Sequence, residues 1–245
     1  MNWFNTLQET FLEDNRYMWL VEGLGNTLLI TIGALLIGVA IGMLIAITKY
    51  FCEGNKKLRF LNWLCDLYTT VIRGIPVTVL LLIFFYIIFA FAKDGVPVAI
   101  VAFGVNSGAY MAELIRSGLN AVDKGQMEAA RSLGMSEKQA MLKIILPQAI
   151  RNILPALGNE FIMMLKETSL ASTFFLGDLM TSYAIVKGVT YLTLEPMTIV
   201  AIIYLCMTFP LSKIVERFEK KMASPTSYKK SNAKRKRKLM NGGKI

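Results

Sequence analysis

Histidine is absent from all 245 residues. That removes the side chain best suited to proton transfer near neutral pH and the commonest metal ligand. The three cysteines, Cys52, Cys65 and Cys206, lie far apart and form no metal-ligand or redox spacing, so they read as small apolar fillers. No G-x-x-x-x-G-K-[ST] phosphate loop occurs, which closes that route to ATP hydrolysis. The expectation is a chain with no catalytic residue, no metal site and no cofactor of its own. A basic start is missing too. Met1 to Glu22 carries Arg16 as its only base, unlike a cleaved signal peptide, which opens with positive charge.

What is present is apolar and comes in long blocks. Hydrophobic residues make up 54% of the chain and mean hydropathy is +0.48. Gly23 to Thr48 runs through 26 positions without a charge. A membrane-spanning helix needs about 20 mostly apolar residues, each rising ~1.5 Å. The pattern predicts an all-α integral membrane protein with about five spans: Gly23–Thr48, Leu61–Ala92, Val96–Gly118, Gln148–Glu167 and Pro196–Ser212. Residues 168–191 are moderately apolar and suit a short or re-entrant helix.

Charge gives the orientation. Of 27 bases and 17 acids, 12 bases and two acids lie at Lys213 or beyond, so the remaining 15 of each balance. Lys49, Lys56, Lys57 and Arg59 follow the first span. Lys124, Arg131, Lys138, Lys143 and Arg151 cluster between the third and fourth. The positive-inside rule then puts the N-terminus outside and the C-terminus in the cytoplasm. The basic tail lacks interleaved aromatics and any nucleic-acid-binding motif, so it speaks for the cytoplasmic side of a membrane and not for nucleic acid. The expected organisation is an extracytoplasmic segment (1–19), a membrane domain (20–218) with a cytoplasmic loop at 120–148, and a basic cytoplasmic tail (219–245). In the first span Ala34, Gly38, Gly42 and Ala46 make a small-residue ridge fit for close helix packing, within the chain or against a second subunit.

The loop between the third and fourth spans is the most informative stretch. Asp123 followed by Gln126, and Ser136 followed by Gln139, are two helix starts. Gly134 between them suits a helix end at positive φ, and Pro147 marks a further break. Leu133, Met135, Met141, Ile144 and Ile145 are too apolar for a merely solvated connector and suggest a docking surface.

Glu128-Ala129-Ala130, Gly134 and Ile144-x-Leu146-Pro147 match E-A-A-x3-G-x9-I-x-L-P at every fixed position, and the chain thereby resembles the ABC importer permeases. Gly25-Asn26-Thr27-Leu28, Arg73-Gly74-Ile75-Pro76, Asn106 to Glu113, Gly158-Asn159-Glu160-Phe161 and Lys166 to Leu170 resemble the polar amino acid branch. The likeness covers about residues 20–215. It implies the type I importer permease fold in a prokaryotic cytoplasmic membrane. It also implies a coupling helix built on Glu128, Ala129, Ala130, Gly134, Met135, Leu146 and Pro147. The implied partners are cytoplasmic ATPases that bind ATP and Mg, a second permease (identical or paralogous) and an extracytoplasmic amino acid-binding protein.

Cargo candidates come from polar residues inside the spans. Glu160 and Glu167 are seven positions apart and return to within ~20° on a helix, ~10 Å along its axis. A charge at the bilayer centre costs ~2.5–3.5 kcal/mol on insertion scales, so it should face a cavity or a partner. Two acids on one wall suit a cationic amino acid. Their alternative is ion pairing with Lys166, Arg116 or Arg151, or a place at the membrane edge. Asn106, Tyr110 and Glu113 share one face of the third span and could hold the cargo's polar ends, or bond between helices. The competing function is an amino acid transporter driven by an ion gradient, with Glu113, Glu160 and Glu167 as coupling acids. It leaves the coupling loop unexplained and lacks an inverted repeat.

Overall fold

The computed structural model of the protein describes residues 3–52 and 58–222. Lys56 and Lys57, and the tail beyond Met222 with its basic run, lie outside the described residues. Ten α-helices follow in order among the described residues: α1 (Trp3–Leu12), α2 (Tyr17–Cys52), α3 (Arg59–Gly74), α4 (Val77–Ile83), α5 (Gly95–Asn120), α6 (Lys124–Ser132), α7 (Glu137–Ala140), α8 (Leu146–Glu167), α9 (Leu179–Thr190) and α10 (Leu194–Met222). No strand occurs among them.

The uncharged run of the first span lies inside α2, which extends beyond it at both ends. The small-residue ridge packs inside this chain. A Cβ on Gly38 would come within 2.6 Å of the Ser107 Oγ, and one on Gly42 within 2.4 Å of the Met111 Cβ. From the other side, Gly104 lies against Ile37 and Gly108 against Ile41. Glycines on both helices therefore interlock α2 with α5. The contacts advance together along both helices, so α2 and α5 run parallel. Around this seam Ile30, Ala34, Ala99, Ala102 and Phe103 form the core with Leu81 of α4 and Met164 of α8.

A parallel pair needs a return crossing between its members. The return is not the single helix expected over Leu61–Ala92. It breaks at Ile75–Pro76, where the two arms, Arg59–Gly74 and Val77–Ile88, are bent by 109°. Proline lacks an N–H and pushes the preceding residue out of helical conformation; Ile75 accordingly sits at φ −94°, ψ 130°. A π-helical turn over Phe84–Ile88 completes the second arm.

The remaining spans alternate. Gly118 of α5 packs on Ile153 of α8, and Gly158 of α8 packs on Val215 of α10. Among the described residues four helices are long and apolar enough to cross a membrane, and the bent pair counts as a fifth span if its two arms are taken as one. After Glu167 the chain forms a 3-10 segment, Thr168–Phe174, and then α9. At ~1.5 Å per residue α9 reaches ~18 Å, short of a ~30 Å hydrocarbon core, in line with a short helix there.

Candidate functional site

The loop between α5 and α8 is a capped helical hairpin. Asp123 opens α6 with its carboxylate accepting from the Gly125 N–H at 2.7 Å. The helix ends in a Schellman arrangement: the Gly134 N–H donates to the Arg131 carbonyl at 3.0 Å and the Met135 N–H to the Ala130 carbonyl at 3.1 Å. Gly134 stands at φ +83° with open space where a Cβ would go. The backbone, not crowding, asks for glycine there. Ser136 and Gln139 then form a reciprocal capping box that starts α7.

Two expectations change here. Pro147 makes no break, because a π-helical turn at Met141–Ile145 precedes it and the helical path runs on into α8. The wider turn makes room for the ring where an α-helix would clash. The apolar residues are also mostly turned inward. Ile145 is buried with Val122, Ala149 and Ile153, and Met141 and Ile144 pack against that cluster. Leu133 remains outside, 84% exposed. Glu128, Ala129, Gly134 and Pro147 lie on the outer surface, Met135 and Leu146 are half-buried, and Ala130 is buried against its own chain.

The polar residues inside the spans fall into two groups. Glu160 and Glu167 are half-buried on α8, and neither joins an ion pair among the described residues. Asn106 is buried and its Oδ1 has no hydrogen-bond partner.

The second group lies further along α5. The Arg116 guanidinium grips the Glu113 carboxylate, with Nε donating at 3.2 Å and Nη2 closer still. Arg73 of α3 stands 3.9 Å from the same carboxylate and 5.6 Å above the Tyr110 ring. Lys49 of α2 pairs with Asp66 of α3 at 2.5 Å. All six residues line one cavity of about 590 Å³. Asn106 and Glu160 are not on its wall. Arg116 thus pairs with Glu113 and not with Glu160 or Glu167.

Sequence reasoning missed a third feature, a buried polar junction between α2 and α9. Asp178 is fully buried and caps α9, accepting from the Met180 N–H at 3.0 Å. The Thr27 hydroxyl accepts from the Leu179 N–H at 3.0 Å, and Asn26 donates to the Gly177 carbonyl at 3.0 Å. The Asp178–Thr181 spacing was the available signal, an N-cap followed by a helix.

Comparison with known proteins agrees with this architecture. Residues 23–224 match the family model described as the binding-protein-dependent transport system inner membrane component. The arginine transport system permease protein ArtQ of Bacillus subtilis is 36% identical over 209 residues, covering 84% of this chain and 93% of that protein. A putative glutamine transport system permease protein, GlnP, of Rickettsia bellii is 39% identical over 214 residues, covering 84% and 94%. In the crystal structure of an amino acid ABC transporter with histidines, one chain superposes with a TM-score of 0.78 at 42% identity, over 86% of this chain and 98% of that one. The MetNI methionine ABC transporter in an inward-facing conformation shares the fold alone, with a TM-score of 0.70 at 21% identity. The fold is that of a type I ABC importer permease, and the protein belongs to the family of binding-protein-dependent transport system inner membrane components.

Proposed function

We propose that the chain is the membrane-spanning subunit of an ATP-driven importer of a polar, cationic amino acid. The observation that carries the cargo class is the pair Glu160 and Glu167, half-buried in a spanning helix and without an ion-pair partner among the described residues. An unpaired carboxylate at that depth is costly unless something cationic meets it. An amino acid with a basic side chain brings two cations and one carboxylate, and the buried amide of Asn106 has an acceptor still free. ArtQ is named for arginine and GlnP for glutamine, so the relatives support a polar amino acid and the acid pair alone favours a cationic one.

Energy enters through the capped hairpin. Its outer surface, with Glu128, Ala129, Leu133 and Gly134, docks in a groove of a separate ATPase that binds ATP and Mg. The buried cluster of Val122, Ile145 and Ile153 ties the hairpin rigidly to α5 and α8, so its displacement moves the spans. The bases around α2's end and the hairpin orient that side to the cytoplasm of a prokaryotic cell, leaving the N-terminus outside, where a binding protein delivers cargo. A second permease, identical or paralogous, completes the pathway.

Proteoliposomes holding the permease with its ATPase and binding protein test this. Import of labelled arginine should require ATP and stop when the ATPase is omitted. Import by the permease alone on a proton or sodium gradient would refute it.

A further inference from the structure

The charged cavity beside Glu113 does not end at Arg116. A second cavity, of about 530 Å³, shares Lys49 and Arg116 with it and adds Asn62 and Asn120. A third, of about 850 Å³, shares Ala46, Tyr50, Leu119 and Met141 with the second. Its wall is apolar, with Met43, Ile47, Ile115, Leu142 and Leu146, and Glu137 and Lys138 stand at its rim. The three make one tract that passes from a basic, hydrogen-bonding vestibule at the end of α2 into a greasy groove between α2, α5 and the start of α7.

Donors remain free in the vestibule. Arg116 spends Nε and Nη2 on Glu113, which leaves Nη1 with two N–H groups. Lys49 has three N–H groups and one salt bridge, to Asp66. Lys49, Arg73, Arg116 and Lys138 line the tract against Asp66, Glu113 and Glu137, one base in excess. Neither a free amino acid nor a free phosphate would use the apolar groove. A molecule with an anionic head and a long hydrocarbon chain uses both parts, and basic pockets between spanning helices at a cytoplasmic face suit phospholipid heads.

We propose that this tract holds one anionic phospholipid, its phosphate at Lys49 and Arg116 and an acyl chain along Met43, Ile47 and Leu142. The lipid bridges α2 to the segment that leads out of the hairpin, so membrane composition acts on coupling. Only the naming of the leaflet as cytoplasmic rests on the proposed orientation.

The purified complex of permease and ATPase, stripped of lipid in detergent and titrated with phosphatidylglycerol, tests this by native mass spectrometry. One phosphatidylglycerol should bind saturably per permease, ahead of phosphatidylcholine. Lys49→Gln should weaken it about fivefold, since a base near an anionic head is worth ~1 kcal/mol. Ile47→Trp fills the groove, leaves both ion pairs intact and should abolish retention. Equal retention by all three proteins, or no preference over phosphatidylcholine, overturns the proposal. So does a disulfide between Ile47→Cys and a second permease, which would show the groove filled by protein. The titration reads binding without transport, so it fails separately from the importer reading.

Discussion

The hairpin at 123–147 and the acidic stretch of α8 are opposites in how they treat polar groups. In the hairpin nearly every end is closed locally: Asp123 and Ser136 cap two helices, and Gly134 and Met135 close the turn with two backbone bonds. In α8, Glu160 and Glu167 are left without a countercharge among the described residues. A segment that satisfies itself can move as one stiff piece. A segment that leaves charge unmet in an apolar setting waits for something to meet it. Glu113 shows what a satisfied acid looks like here, held by Arg116 and approached by Arg73.

The contrast breaks most severely at Gly134. Proline fixes φ near −65°, far from the +83° found there, and removes the N–H that bonds Arg131. Gly134→Pro should abolish ATP-driven import while the protein still inserts and folds; normal uptake would sever the hairpin from coupling. Gly134→Ala sharpens the point, because a left-handed Cβ costs only ~1–2 kcal/mol and nothing stands in its way. Import should fall partly and assembly should survive.

Next in size is the acid pair. Glu160→Gln should reduce binding of arginine about tenfold, near 1.4 kcal/mol, and that of glutamine much less. Equal losses for both cargos would remove the charge argument. Glu113→Gln is the matched control. It frees Arg116 and Arg73 together and should lower the melting temperature in detergent while changing arginine and glutamine uptake in the same proportion. A selective loss of arginine uptake would move the cargo site to the Arg73 cavity.

The smallest effect is expected at Ser136→Ala, which opens the capping box. It should cost about 1 kcal/mol, read as faster amide hydrogen exchange over residues 136–140 with import largely kept. No change in exchange would mean that packing of Ala140 and Ile145, and not the cap, holds α7.

Whatever is closed within a few residues of chain was legible in residue order alone. The charge-free run needed only its own length, and the caps at Asp123 and Ser136 and the turn at Gly134 use bonds that span two to five positions. Long-range packing settled the rest, because each remaining question depended on what arrives across space. It seated the glycine ridge on α5 of the same chain and gave Arg116 to Glu113. It bent the second span by 109° at a proline while carrying another, Pro147, smoothly into a helix. The two prolines carry the same local chemistry. Pro76 pushes Ile75 into an extended conformation, whereas the π-helical turn before Pro147 accommodates its ring, and residue order alone does not tell the two outcomes apart.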